Sequence, residues 1–167
     1  MSLFLQRSVR SKRNLLSPLI KPLFSVVVRS PPRTFHTYPA KMDSQLTPVF
    51  TPDACPPAGP YSQAIKAAGL VFAAGQIPAD NTGKLVSGSI AEKTEQCCKN
   101  LKAILEAAGS GIPKVVKVGI FLSDMKHFAE MNGEYEKWFS HKPARTCVAA
   151  RELPKGVDVE IEAIAVQ

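Results

Sequence analysis

Residues 89–122 read SIAEKTEQCCKNLKAILEAAGSGIPKVVKVGIFL and contain two adjacent secondary-structure signals. Ser89 and Glu92 have the spacing of a capping box, in which each side chain accepts a hydrogen bond from a backbone N–H group at the start of a helix. Apolar side chains then recur at helical spacing up to Gly109, a residue type that commonly ends helices. Residues 115–122 are rich in β-branched side chains and predict a strand. The stretch therefore predicts a helix followed directly by a strand.

Strand signals precede this stretch, and a second helix and two closing strands follow it. The predicted strands before it are 47–55, 62–67 and 70–76, the last two joined by a hairpin at Ala68-Gly69. Asp124 is expected to cap the second helix, whose apolar stripe is Phe128, Met131, Tyr135, Trp138 and Phe139. The closing strands are predicted over 146–150 and 157–166. This order predicts an α+β fold with both helices on one face of a sheet. Oligomerisation is one way to cover the other face.

The positive charge of the chain is confined to its beginning. The 167 residues carry a formal net charge of +7, yet residues 1–41 contain eight Lys and Arg and no acidic residue. Residues 42–167 hold 13 basic and 14 acidic side chains. The chain is 45% hydrophobic and can bury a core. The domain has no clustered positive charge of the kind that typifies nucleic-acid-binding proteins.

Residues 1–41 have the composition of a mitochondrial transit peptide, because they are rich in Arg and contain Ser but no acid. Arg33-Thr34-Phe35 fits the Arg-x-aromatic pattern found before matrix-protease cleavage sites, which predicts cleavage after Phe35. The leader thus predicts import into the mitochondrial matrix by the import machinery, with 42–167 as the folded domain. The alternative is a basic tail that binds anionic surfaces. Met42 is a candidate internal start for a cytosolic form, and no apolar run approaches the ~20 residues of a membrane-spanning helix.

Several common kinds of site are missing from the sequence. It has no Gly-rich phosphate loop and no zinc-type spacing of Cys and His. Cys97 and Cys98 are adjacent on the first predicted helix, where they fit as small core residues. His127 and His141 flank the second predicted helix and are expected to be surface or capping residues rather than catalytic bases.

Three polar residues remain as candidates for chemistry. Arg145 follows Pro143-Ala144 at the start of a strand, where it is either a surface charge or a fork for a substrate carboxylate. Glu160 lies in an apolar strand, as an exposed side chain or as a carboxylate that positions water or carries a proton. Tyr61 follows Gly59-Pro60, which would hold its ring rigidly. The residue types alone leave both readings open for each position.

Four segments, in chain order, resemble those of the Rid (YjgF-like) family of reactive-intermediate deaminases. They are GPYSQA (59–64), AAGQIP (73–78), KPARTCV (142–148) and VEIEAIA (159–165). The resemblance extends over about 47–166, and the basic leader is similar to that of the mitochondrial branch of eukaryotic members.

The resemblance implies a chorismate-mutase-like α+β fold, in which a mixed sheet carries two helices on one face and forms a homotrimer with active sites between subunits. It also implies a 2-iminobutanoate/2-iminopropanoate deaminase that hydrolyses 2-enamine and 2-imine acids, such as 2-aminoacrylate and 2-aminocrotonate, to 2-keto acids and ammonia. Pyridoxal-phosphate enzymes release these compounds, so the implied role is metabolite damage control, with a link to branched-chain amino acid metabolism. The deaminase itself is expected to need no cofactor and no metal.

The resemblance also implies roles for six residues. Arg145 matches the arginine that binds the substrate carboxylate, and Glu160 matches the glutamate associated with the attacking water, so both are expected to be catalytic. Substrate contacts are also expected from Tyr61, Gly75, Asn132 and Cys147. Many members carry Ser where this chain has Ala74, which removes a hydroxyl group from the expected site. The short link between Trp138-Phe139 and Arg145 is expected to reshape the rim of the cleft.

Two other classes of function stay open at this point. RNA binding, or RNA cleavage that inhibits translation, is attributed to some relatives, although the −1 balance of residues 42–167 disfavours an RNA ligand. The other class is a non-catalytic or chaperone-like protein that binds carboxylate ligands in the same cleft. Arg145 would suit such a protein as well as an enzyme, because either one must bind a carboxylate.

Overall fold

The computed structural model describes residues 46–167. The predicted leader, the cleavage after Phe35 and the start at Met42 lie outside the described residues. Within 46–167 the strands are β1 (Thr47–Val49), β2 (Ala64–Ala67), β3 (Leu70–Gln76), β4 (Val115–Leu122), β5 (Ala144–Ala149) and β6 (Val159–Val166). Helix α1 (Ile90–Ala107) follows β3, and helix α2 (Phe128–Trp138) follows β4.

The strands form one mixed sheet in the order β1-β2-β3-β6-β4-β5. Every neighbouring pair is antiparallel except β4 and β5, which are parallel. Parallel neighbours need a long crossover, and α2 supplies it between β4 and β5. The α+β prediction is confirmed, and β1 and β5 are the two edges of the sheet.

Helix α1 begins and ends where its sequence predicts. The Ser89 hydroxyl accepts a hydrogen bond from the Glu92 N–H at 3.2 Å, and the Glu92 carboxylate accepts one from the Ser89 N–H at 2.8 Å. At the other end Gly109 has φ +81°, a left-handed conformation in which a side chain would be strained. The Ser110 N–H then donates to the Leu105 carbonyl at 2.8 Å, which closes the helix. None of the helices within 46–167 is long and apolar enough to cross a membrane.

The alternation of side chains along β6 separates the two faces of the sheet. One set is buried and consists of Val159, Ile161, Ala163 and Ala165. The helices pack on this face, and their core residues include Cys97, Cys98, Leu101, Ile104, Leu105, Met131 and Tyr135. The prediction of two helices on one face is therefore confirmed, as is the core position of the paired cysteines. No helix of the described chain covers the opposite face, here called the open face.

Two strands begin at residues that differ from the sequence prediction. β5 starts at Ala144 rather than 146, because its ladder with β4 already pairs Lys117 with Ala144. This extension places Arg145 inside the strand. β6 starts at Val159 rather than 157, because Val157 still closes the 3-10 turn Pro154–Gly156 by donating a backbone hydrogen bond to the Pro154 carbonyl, at 3.3 Å.

The predicted cap of the second helix is wrong by one short turn. The Asp124 carboxylate accepts a hydrogen bond from the Lys126 N–H at 2.9 Å, so it caps the 3-10 turn Met125–His127. α2 starts only at Phe128 and has no side-chain cap. Asp124 therefore does cap a helical turn, as predicted, but that turn is a tighter 3-10 turn, and the α-helix follows it.

The chain after β1 is held by a buried side chain instead of by strand pairing. The Gln63 carbonyl accepts from the Thr51 N–H at 2.7 Å, and its amide donates to the carbonyls of Thr51 and Cys55 at 3.1 and 3.0 Å. The predicted strand over 47–55 is therefore limited to β1, and β2 starts at Ala64 rather than 62. The same network anchors the Pro-rich loop that leads to Tyr61.

Candidate active site

Arg145 is half-buried on β5, on the side of the sheet that carries the helices. Its register partner is the buried Val118, which fixes that side. One guanidinium nitrogen donates to the Asn132 side-chain carbonyl of α2 at 2.5 Å. Among residues 46–167 no carboxylate lies within ion-pair distance of Arg145. A guanidinium that is ordered but not neutralised is a suitable site for an anion.

A pocket of about 440 Å³ opens beside Arg145. It is lined by Asn132, Tyr135, Glu136, Phe139, Ser140, Lys142, Pro143 and Arg145. The link between α2 and β5 supplies its rim, and Lys142 adopts a left-handed φ of +55° there. The link therefore contributes to the rim of this pocket, and the prediction that its short length reshapes the rim stays a prediction.

Cys147 lies two residues after Arg145 and therefore points to the same face of β5. It is half-buried and packs against the core. Burial raises the pKa of its thiol, and the nearby Arg145 charge only partly opposes that effect. A thiol whose pKa is raised is not activated as a nucleophile. Its contact with substrate stays a prediction.

Glu160 lies on the open face of β6, next to Gly75 of β3. A β-carbon built on Gly75 would lie 2.1 Å from a Glu160 carboxylate oxygen, so only glycine lets the carboxylate lie against this backbone. The pairing of β3 with β6 is irregular here, between Ala73 and Gln76. Such bulges commonly adjust the direction of side chains near active sites.

The pKa of the Glu160 carboxyl is raised, first by its burial and second by the charge of Glu162. A carboxyl group whose pKa lies above the ordinary range is suited to exchange protons with a substrate or water. Glu160 is the one predicted site carboxylate, and its environment matches that use.

Tyr61 and Ala74 lie beside Glu160. A shallow depression of about 360 Å³ is lined by Ala58, Tyr61, Ala74, Gly75, Pro154 and Glu160. The Tyr61 hydroxyl accepts a hydrogen bond from the Ala58 N–H at 3.0 Å, and the Tyr61 N–H donates to the Gly59 carbonyl at 2.9 Å. The loop thus holds the ring as the sequence predicts. The methyl group of Ala74 stands where many relatives were expected to place a hydroxyl.

The six predicted site residues form two groups in one chain. Arg145 and Cys147 share the helix-covered face of the sheet, and Asn132 of α2 contacts Arg145. Glu160, Gly75 and Tyr61 form the other group. Glu160 pairs with Phe121, next along β4 to the buried Ile120, so it points to the open face. A single chain therefore does not bring the two catalytic candidates to one small substrate.

Sequence analysis missed two aromatic contacts of Arg145. The centre of its guanidinium lies 4.8 Å from the Tyr135 ring centroid and 5.6 Å from the Phe128 ring centroid. Both residues were assigned to the apolar stripe of α2. The sequence contains an indication of these contacts. Phe128, Asn132 and Tyr135 are spaced i, i+4 and i+7, so the two aromatic residues share one helix face with Asn132.

The comparisons with known proteins agree over the described domain. A sequence model of the Endoribonuclease L-PSP family matches residues 51–167. Protein HMF1 of Saccharomyces cerevisiae is 53% identical over 127 residues, which are 75% of this chain and 98% of that protein. "Protein MMF1, mitochondrial" of the same yeast is 52% identical over 123 residues, 73% of this chain and 85% of that protein.

Solved structures give the same result. The crystal structure of yeast Mmf1 matches with a TM-score of 0.72 and 52% identity, over 74% of this chain and 99% of that chain. The crystal structure of E. coli TdcF with bound serine matches with a TM-score of 0.69 and 34% identity, over 72% of this chain and 98% of that chain. With these matches on both sequence and structure, the chain belongs to the Endoribonuclease L-PSP family, the family of the YjgF and Rid proteins.

Proposed function

We propose that this protein hydrolyses 2-imino and 2-enamino acids to 2-keto acids and ammonia. The observation that carries the proposal is Arg145, a half-buried guanidinium that lines a pocket and has no carboxylate partner among the described residues. A planar guanidinium binds a carboxylate through two parallel hydrogen bonds, which would orient the adjacent imine carbon. The structure of the relative TdcF with bound serine, a molecule with a carboxylate next to a C–N bond, supports this choice of ligand.

Glu160 fits the proton transfers that the hydrolysis requires. A 2-enamine first becomes the protonated 2-imine when a proton adds to its C3 carbon. Water then adds to the C2 carbon of the protonated imine, and the Glu160 carboxylate takes one proton from that water. A proton returned to the nitrogen breaks the C–N bond, releasing ammonia as the C2 oxygen loses its proton to form the keto group. This hydrolysis changes no oxidation state.

A second copy of the chain is the proposed means of uniting Arg145 and Glu160, and we propose a homotrimer. The open face carries Phe72, Val148 and Val166, whose exposed fractions are 42%, 44% and 45%. Large apolar side chains on one sheet face are typical of surfaces that another protein covers. In the proposed assembly the Arg145 group of one copy meets the Glu160 group of its neighbour.

The experiment that tests the function is a direct assay of keto acid and ammonia. A pyridoxal-phosphate dehydratase generates 2-aminoacrylate from serine in the same solution, and residues 42–167 are added. Faster release of pyruvate and ammonia than without the protein supports the proposal. Parallel arms measure RNA cleavage and RNA binding at physiological salt. RNA cleavage without imine hydrolysis would favour the endoribonuclease of the family's name, and carboxylate binding without turnover would favour a non-catalytic binding protein.

We also propose import into mitochondria. The support is the acid-free leader of residues 1–41 and the relative MMF1, whose name describes it as mitochondrial. A fluorescent protein fused behind residues 1–41 is expected to enter mitochondria and, after processing, to begin just past Phe35. A matched fusion in which Arg7, Arg10, Lys12 and Arg13 are changed to Ser should stay in the cytosol. Cytosolic fluorescence of the unaltered fusion would contradict the proposal.

Arg145→Lys is expected to be badly impaired, because Lys keeps the charge but lacks the planar pair of donors. The loss of a charge-assisted bidentate contact costs about 2–4 kcal/mol, or roughly 30- to 1,000-fold in kcat/KM. Steady-state kinetics with 2-aminoacrylate measure the effect, and circular dichroism checks the fold. Arg151→Lys, at an exposed position outside the pocket, is the matched control. An Arg145→Ala variant as fast as the parent would refute the assignment.

Glu160→Gln is expected to bind carboxylate ligands normally and to turn over slowly. Because the pKa of Glu160 is raised, its carboxylate form is lost as the pH falls through a value above about 4.3, the ordinary pKa of Glu. The value of kcat/KM is expected to fall with the loss of this base form. Glu162→Gln removes the neighbouring charge that contributes to the raised pKa. This variant should therefore shift the acid limb of the pH–rate profile to lower pH while keeping fast turnover. An unchanged acid limb in Glu160→Gln would exclude Glu160 as the titrating base.

Hybrids of two inactive variants test whether two copies complete the site. If Arg145 and Glu160 come from different copies, random mixing of Arg145→Ala and Glu160→Gln chains leaves about a quarter of the sites with both residues intact. Double tagging of co-expressed chains selects mixed trimers, in which one of the three sites is intact, so these hybrids are expected to recover about a third of parental activity. Hybrids of Arg145→Ala with the Arg145→Ala, Glu160→Gln double variant should recover none. Sedimentation equilibrium should show trimers, and a monomeric parent would contradict the assembly.

A further inference from the structure

Two aromatic rings contact the Arg145 guanidinium and have no part in the chemistry described so far. They belong to Tyr135 and Phe128, at 4.8 and 5.6 Å from ring centroid to guanidinium carbon. Both distances lie within the range of cation–π attraction. We propose that this aromatic pair positions Arg145, holding its guanidinium ready for a carboxylate before any ligand arrives. The inference rests on the proposed function in taking the carboxylate of the ligand as the partner of Arg145.

The need for such support follows from the flexibility of arginine. A free arginine side chain carries about 2 kcal/mol of rotamer entropy, which a ligand must otherwise overcome on binding. Asn132 accepts one hydrogen bond from a terminal guanidinium nitrogen, at 2.5 Å. One hydrogen bond leaves rotation about that contact free, while contact with ring faces restricts the guanidinium plane. Asn132 and the aromatic pair together therefore define both the position and the tilt of the donors.

The rings are themselves held by the core. Tyr135 is only 5% exposed and stacks on Phe139, with 4.5 Å between ring centroids and an angle of 22°. Phe128 is half-buried and packs against the same core. Because Phe128, Asn132 and Tyr135 project from one face of α2, a single rigid helix carries all three supports of Arg145.

The ring of Tyr135, rather than its hydroxyl, is assigned this role. The hydroxyl is buried and has no hydrogen-bond partner among residues 46–167. Burial raises the pKa of Tyr135, so the phenol stays neutral and adds no charge beside Arg145. Tyr135→Phe therefore keeps the proposed interaction and serves as the conservative variant.

The test measures kinetics and binding in four variants of residues 42–167. Tyr135→Leu and Phe128→Leu are expected to raise KM for 2-aminoacrylate by roughly 3- to 30-fold with kcat nearly unchanged, because they weaken carboxylate binding and leave Glu160 in place. Tyr135→Phe should behave as the parent does. Met131→Ala, also on α2 and fully buried, should lower thermal stability without raising KM.

Binding of pyruvate, the product of the proposed reaction, is measured in parallel by NMR titration and needs no catalysis. The same pattern of Kd values is expected across the four variants. If the parent hydrolyses no imine but the pyruvate pattern appears, the proposed function fails and the positioning role stands. If Tyr135→Leu does not fold, Phe128→Leu at its half-buried position carries the test.

Four results would overturn the inference. Tyr135→Leu or Phe128→Leu could bind pyruvate as tightly as the parent. Tyr135→Phe could be impaired as much as Tyr135→Leu, which would assign the role to the hydroxyl. Met131→Ala could show the same rise in KM, which would reduce the effect to general loss of packing. A parent that binds no pyruvate would remove the carboxylate role of Arg145 and the inference with it.

Discussion

The two-residue repeat of the β-strand is the constraint on which the rest of this structure depends. Because neighbouring side chains point to opposite faces, β6 can bury Ile161 under the helices only by placing Glu160 on the open face. The same repeat on β5 turns Arg145 and Cys147 toward the helices. One chain thus presents two chemically different groups of residues, the two proposed half-sites, on opposite sides of a single sheet. Its core packing prevents either group from changing sides.

Each half-site is supported by a different part of the fold. The Arg145 side depends on α2, which supplies a hydrogen-bond acceptor and two rings from one helical face. The Glu160 side depends on a glycine at an irregular strand pairing and on a loop anchored by Gln63, whose buried amide replaces strand pairing with side-chain hydrogen bonds. Neither support consists of catalytic residues. In both cases it restricts the motion of a polar group, and we propose that this lowers the cost of binding a ligand.

The two raised pKa values at the site have opposite consequences. Burial raises the pKa of Cys147 and keeps it a neutral thiol, which makes covalent catalysis unfavourable. Burial also raises the pKa of Glu160, and there the shift brings a carboxyl group closer to the pH at which it can both take and return a proton. The same desolvation thus disfavours one candidate nucleophile and favours one candidate base.

The sequence by itself determined what depends on local contacts. The capping box and Gly109 define α1, the β-branched run defines β4, and the alternation in 159–166 defines which residues of β6 are buried. Each of these patterns involves only residues that are close together in the sequence. Only the tertiary structure decided where β5 begins, since its ladder with β4 pairs residues far apart in sequence. It alone also separated Arg145 from Glu160 and brought Tyr135 against Arg145. Those relations depend on sheet register and helix packing, which no local pattern of residues encodes.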